Sequence, residues 1–115
     1  DSVECIEDGA FWLCANLTKI NLPEGILSIG GSAFSFCKSL AAVEIPQNVH
    51  SIGAHTFTGC SKLKTINVPE GVQSIGYAAF RMCISLKIIT IPRSVTFIDG
   101  EAFGRCKKLK KIIYG

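Results

Sequence analysis

Apolar residues return along this 115-residue chain with a period of 23, in register at every position that a shared interior would need. Phe11, Phe34, Phe57, Phe80 and Phe103 form one column, and Cys14, Cys37, Cys60, Cys83 and Cys106 form the next. Leu17, Leu40, Leu63, Leu86 and Leu109 follow, then Ile20, Val43, Ile66, Ile89 and Ile112. Leu22, Ile45, Val68 and Ile91 each precede a proline, at Pro23, Pro46, Pro69 and Pro92. Val3, Ile26, Val49, Val72 and Val95, with Ile6, Ile29, Ile52, Ile75 and Ile98, complete the pattern. A small residue stands before each phenylalanine: Ala10, Ala33, Thr56, Ala79 and Ala102. The unit is LxxIxIPxxVxxIGxxAFxxCxx, and a period of this length marks a repeat array.

Each part of the unit predicts an element. LxxIxI is short, branched and half alternating, so Ile20 and Leu22 point to one side of a strand. The proline that follows cannot donate to a ladder and ends the strand. VxxIG reads as a second extended piece closed by a turn, where Gly30, Gly53 and Gly76 are free to take positive φ; the fifth copy has Asp99 and Gly100 there. AFxxCxxL spaces Phe34, Cys37 and Leu40 by three, which predicts one turn of 3₁₀ or α-helix. One such unit cannot bury its apolar residues, whereas stacked units share a core. The expected fold is an α/β right-handed solenoid of about five copies in one domain, residues 1–115, with parallel strands on a concave face and short helical turns and extended segments elsewhere.

The cysteines fit this picture better than a disulfide framework does. Neighbouring positions in a parallel stack lie about 4.8 Å apart, beyond the Cβ separation of about 3.8 Å that a disulfide prefers. A straight column also offers no tetrahedron for zinc. The five ladder cysteines are expected as buried free thiols, each packing as a small hydrophobe. Cys5 lies off the ladder, where other copies have Ser28, Ser51 and Ser74, and is the expected reactive thiol.

A strand, a turn and a helical turn in 23 residues resemble the leucine-rich repeat, and LxxIxIPxxVxxIGxxAFxxC resembles its BspA-like class over residues 3–114. The asparagine expected after the strand in other classes falls on Gly25, Asn48, Gly71 and Ser94, so one copy keeps it; that departure is usual for the BspA-like class. The resemblance implies a surface-exposed or secreted protein that adheres to host proteins or cells, with fibronectin and fibrinogen as partners known in that family. It supplies no fixed set of functional residues.

The strand pattern itself names a candidate surface. Residues flanking the inward position of each strand should line the concave face: Lys19, Asn21, Ala42, Glu44, Thr65, Asn67, Ile88, Thr90, Lys111 and Ile113. These vary while the core repeats, which is how repeat modules make specific extended contacts. The expected role is a protein-binding module of a cell-surface or secreted protein, with a host extracellular-matrix protein as partner. The alternative is a structural spacer that holds another domain away from the cell.

Composition changes this picture little. Charge is uneven: residues 1–57 carry a net −4 and residues 58–115 a net +7. Lys107, Lys108, Lys110 and Lys111 read first as a solvated terminal repeat. No aromatic platform alternates with these lysines, which argues against nucleic acid. No apolar run reaches the length of a membrane span, so no membrane insertion is expected. His50 and His55 stand alone in their columns, without the partners that catalysis or a metal needs. No catalytic set, cofactor or metal site is expected, and the array is read as not an enzyme. Asn16-Leu17-Thr18 fits a glycosylation triplet, a pattern common by chance. The first copy starts at Val3 without a strand of its own, and the last ends on Ile113, Tyr114 and Gly115. The chain is therefore expected to be a piece of a longer array whose isolated form associates end to end.

Overall fold

The computed structural model describes residues 4–115, so Val3 of the valine column lies outside the described residues. Each 23-residue unit forms one coil, and every strand pairing joins a residue to the one 23 positions on, as in Ile29 with Ile52 and Ile66 with Val43. Among the described residues nine short strands result, all paired in parallel: β1 Cys5–Ile6, β2 Ser28–Ile29, β3 Ala42–Glu44, β4 Ser51–Ile52, β5 Thr65–Asn67, β6 Ser74–Ile75, β7 Ile88–Ile91, β8 Phe97–Ile98 and β9 Lys111–Tyr114. The VxxIG pieces make one continuous sheet in the order β1-β2-β4-β6-β8. The LxxIxI pieces make two separate pairs, β3-β5 and β7-β9.

The strand expected through Ile20 and Leu22 does not form; that stretch keeps one bond to the next coil, from the Ala41 amide to the Thr18 carbonyl at 3.2 Å. Composition accounts for the gradient along this face. Lys19 and Asn21 face Ala42 and Glu44, all poor strand formers, whereas β7 and β9 read IITI and KIIY and are the longest strands.

The predicted helical turns are also absent: among the described residues there is no helix, and the α/β expectation gives way to a β-solenoid of about five turns. The hydrogen bonds give the reason. In the AFxxC stretch alternate amides point in different directions. Those of Ala33, Ser35 and Cys37 turn back to the carbonyls of Gly30, Ser32 and Phe34, while those of Ser32, Phe34 and Phe36 donate to Ala54, Thr56 and Thr58 of the next coil. A helix would use all of these amides within its own coil. Spending half of them along the stack requires left-handed residues between successive turns, and Ser32 and Phe36 stand at φ 60° and 59°. His55, Ala78, Leu13, Met82 and Arg105 repeat that geometry in other coils.

The turn glycines serve a different purpose from the expected one. Gly30, Gly53 and Gly76 are not among the positive-φ residues; that conformation falls on Gly9 and Gly59 instead. Gly30 and Gly76 are needed for close approach. A Cβ on Gly30 would lie 2.5 Å from the Asp8 amide, and one on Gly76 2.8 Å from that of Ala54, so the coils could not stack at this spacing.

Inside, the columns become a spine. The five phenylalanine rings stack nearly parallel, with centroids 5.3–5.6 Å apart and planes within 3–6°. That is offset stacking, worth about 0.5–1.5 kcal/mol per pair beyond the area buried. Beside it the cysteines are free thiols, and Cys37, Cys60, Cys83 and Cys106 each direct Sγ to the carbonyl of the phenylalanine 26 residues earlier, at 3.0–3.2 Å. Pro46, Pro69 and Pro92 are buried, and each carbonyl accepts from the valine three residues on, so the residue that ends a strand also opens the next turn. Thr56, in the column of alanines, is fully buried and gives its hydroxyl to the Gly53 carbonyl at 2.8 Å.

Candidate binding face

Strand pleating decides which side chains leave the core. Val43, Ile66 and Ile89 point inward and are buried, and the residues on either side of each point out. Two columns of outward residues result: Lys19, Ala42, Thr65, Ile88 and Lys111, then Asn21, Glu44, Asn67, Thr90 and Ile113. Strand pairing sets Ala42 beside Thr65, Glu44 beside Asn67, Ile88 beside Lys111 and Thr90 beside Ile113. All are exposed except Asn67, which is half-buried.

Asn67 is half-buried because its amide is occupied. Its Oδ1 accepts from the Ile45 amide at 2.8 Å, and its Nδ2 donates to the Ile45 carbonyl at 3.1 Å. This side chain continues the β3-β5 ladder by one residue where the backbones diverge. It clamps two coils together, so its amide is already engaged where the side chain borders this face.

Most of the candidates line a trough. One open depression of about 520 Å³ is bordered by Lys19, Asn21, Ala42, Glu44, Thr65 and Asn67. A second, of about 500 Å³, is bordered by Thr65, Asn67, Glu70, Ile88 and Thr90. Both include Thr65, Ile66 and Asn67, so they run on from one another across the gap between β5 and β7. Lys111 and Ile113 lie on the same face beyond its end and border neither depression. Ile88, 52% exposed, is the one large apolar residue of the trough's wall that is exposed rather than buried or half-buried. The trough thus offers a cation, a carboxylate, hydroxyls and an aliphatic side chain in fixed order.

The remaining chemical candidates fall into structural roles. Burial pushes the Cys60 thiol up to about 12, the neighbouring Cys37 adding to the effect, and it raises Cys37, Cys83 and Cys106 as well. Such thiols are poor nucleophiles. Cys5 is exposed, as expected from its place among serines. His55 Nδ1 lies 3.2 Å from the Thr58 hydroxyl and its ring meets Tyr77 edge-on at 5.4 Å. His50 Nδ1 lies 3.4 Å from the Gly71 carbonyl. The two histidines serve different coil contacts, and among the described residues no three of His, Cys, Asp and Glu converge as a metal would require. No helix among those residues is long and apolar enough to cross a membrane.

Parallel 23-residue coils, a proline after each of β3, β5 and β7 and a phenylalanine and cysteine interior define a leucine-rich-repeat solenoid, an architecture that generally binds proteins and is typically non-catalytic. The family model of the BspA type leucine rich repeat region matches residues 1–114, in six copies, and the chain belongs to that family. Among curated proteins none matches. Solved structures do. A leucine-rich repeat protein from Bacteroides ovatus is 41% identical over 96% of this chain and 29% of its own, with a TM-score of 0.93. A leucine rich cell surface protein from Faecalibacterium prausnitzii is 38% identical over 100% of this chain and 30% of its own, with a TM-score of 0.97. The T. pallidum leucine rich repeat protein is 34% identical over 96% of this chain and 51% of its own, with a TM-score of 0.93. The chain therefore spans under a third of the first two relatives and about half of the third.

Proposed function

We propose that this chain is part of the recognition array of a longer cell-surface or secreted protein, and that it holds a protein partner along the strand face without catalysing a reaction. The observation that carries the reading is the trough from Lys19 to Thr90, where variable exposed side chains stand on a frame that repeats coil after coil. A rigid frame spares the ordering cost that a loop would meet on binding. The cell-surface relative supports the location. Adhesion to a host extracellular-matrix protein is the specific form proposed, since the face is long, open and polar at its rim.

Binding of the 115-residue chain to immobilised fibronectin and fibrinogen, measured by surface plasmon resonance, tests this. Saturable binding should fall about tenfold or more with Glu44→Lys or Ile88→Asp, as for loss of a central contact. Binding that ignores both substitutions would place the contact elsewhere. No binding to either matrix protein would favour the spacer reading, in which the array only sets a distance.

A further inference from the structure

The segment between each phenylalanine and the following strand carries the chain's charge unevenly. Residues 11–18, 34–41, 57–64, 80–87 and 103–110 hold nine of the twelve Lys and Arg and none of the nine Asp and Glu. Because the coils stack in register, these segments share one side of the solenoid, and its cations rise from none in the first coil to four in the fifth. Such a one-signed side attracts acidic partners and speeds their encounter. The single ion pair among the described residues joins Arg81 to Glu101 at 3.9 Å, so the other cations here face solvent without a carboxylate.

An apolar slot of about 410 Å³ is set into this basic side, with Phe36, Met82 and Ile84 in its lining and Lys38, Arg105 and Lys107 around it. The Phe36 ring takes its place in the lining because a neighbouring side chain is missing. Gly59 occupies the left-handed column otherwise held by Leu13, Phe36, Met82 and Arg105, at φ 74°. A Cβ there would lie 2.5 Å from the Phe36 ring, which covers the buried glycine. Ile84 remains 39% exposed at the edge. Lys107, read from sequence as solvated charge, borders the slot.

We propose that this side is a second binding surface and that the slot takes an acidic peptide segment carrying one large apolar side chain among its carboxylates. The volume falls in the lower part of the range of about 300–1,000 Å³ for ligand sites, suited to one or two side chains. Carboxylates on either side of the apolar residue meet the three cations, and the apolar residue removes Phe36, Met82 and Ile84 from water. A purely anionic chain, such as a sulfated glycan, would satisfy the cations and leave that lining wet. The surface lies off the strand face and does not depend on the function proposed for the trough.

The test uses the 115-residue chain and a fluorescein-labelled peptide, Glu-Glu-Phe-Glu-Glu, followed by anisotropy at low ionic strength. Saturable binding is expected. It should weaken about tenfold in Arg105→Ser with Lys107→Ser, and about tenfold in Met82→Gly with Ile84→Ser. Glycine suits the φ of 63° at Met82 and Ile84 is at the surface, so the second pair keeps the fold, which thermal unfolding checks. Replacing the peptide's phenylalanine by serine should cost about as much as losing the apolar lining. The proposal is overturned if the peptide does not bind, if the serine peptide or a sulfated oligosaccharide binds as tightly, or if Met82→Gly with Ile84→Ser leaves affinity unchanged.

Discussion

Phe34, Phe57 and Phe80 have a ring stacked on each side and are fully buried, whereas Phe11 and Phe103 have one stacked neighbour and are half-exposed. The cysteines divide in the same way, with Cys37, Cys60 and Cys83 buried and Cys14 and Cys106 partly open. Middle and outer coils carry the same residues in the same columns, so the difference comes from the neighbour. In a stack of this kind burial belongs to the interface between coils and only secondarily to the residue.

The largest expected break in this comparison is Phe57→Ala. It removes a ring packed at 5.4 Å on one side and 5.5 Å on the other, at a cost of about 3–5 kcal/mol. Phe103→Ala, with one stacked face at 5.6 Å, should cost roughly 2 kcal/mol. Urea unfolding of both variants decides the point, and equal losses would mean that burial does not follow the neighbour count.

Alkaline pH should separate the coils next. Burial pushes the Cys60 thiol up to about 12 from an ordinary 9.0, and raises Cys83 for the same reason. Above pH 9 the unfolded chain gives up these protons and the folded chain keeps them. The stability due to each protonated thiol is full below pH 9 and is lost as pH rises from there toward 12, at about 1.4 kcal/mol per thiol per pH unit. At pH 10 the two together should weaken the fold by roughly 3 kcal/mol. Cys60→Ala lowers stability at every pH but should flatten this slope by about one thiol's share, and an unchanged slope would show that Cys60 already ionises in the folded state.

Much of this division was legible in the sequence, because a 23-residue period places equal residues at equal depth wherever a neighbour exists. The columns of Phe11, Cys14, Leu17 and Ile29 were readable as core from spacing alone. The turn geometry was not. Left-handed φ falls on Ser32, His55 and Ala78 in one column and on Leu13, Phe36, Met82 and Arg105 in another, residue types with no common preference for it. The conformation is imposed by amides bonding along the stack, a tertiary effect that steps of three between Phe34, Cys37 and Leu40 cannot reveal. The trough was half legible: alternation about Val43 and Ile66 identified the outward residues, but nothing local announced that Asn67 would be occupied by Ile45. The missing carboxylates beside Lys38, Arg105 and Lys107 were visible by column, and only the stack turned them into a surface with a slot.

Thiol chemistry sharpens the comparison without an energy scale. At neutral pH a maleimide should modify Cys5 first, then Cys14 and Cys106 slowly, and Cys37, Cys60 and Cys83 only after denaturation, since a buried protonated thiol does not react. Mass spectrometry of partly labelled protein gives the order. Early modification of Cys60 would contradict the spine.

The smallest expected effect concerns the outer coils themselves. At one end of this chain β9 has β7 on one side only, with Tyr114 70% and Ile113 39% exposed. At the other, Trp12 and Leu13 are 57% and 53% exposed and β1 has only β2 beside it. An unpaired strand over apolar side chains is a template for a second copy. The two halves also differ in charge, with −4 over residues 1–57 and +7 over residues 58–115. Head-to-tail contact between copies would therefore join opposite charges, an attraction that salt screens over about 10 Å at 0.1 M. We propose that the isolated chain associates weakly end to end, in the way that one coil meets the next. Light scattering across a concentration series should show an average mass that rises with concentration and falls with added salt. Tyr114→Lys with Ile113→Lys should reduce the association by charging the edge of β9. A chain that stays monomeric at high concentration and low salt would mean that the outer coils, though half-exposed, do not treat another copy as their missing neighbour.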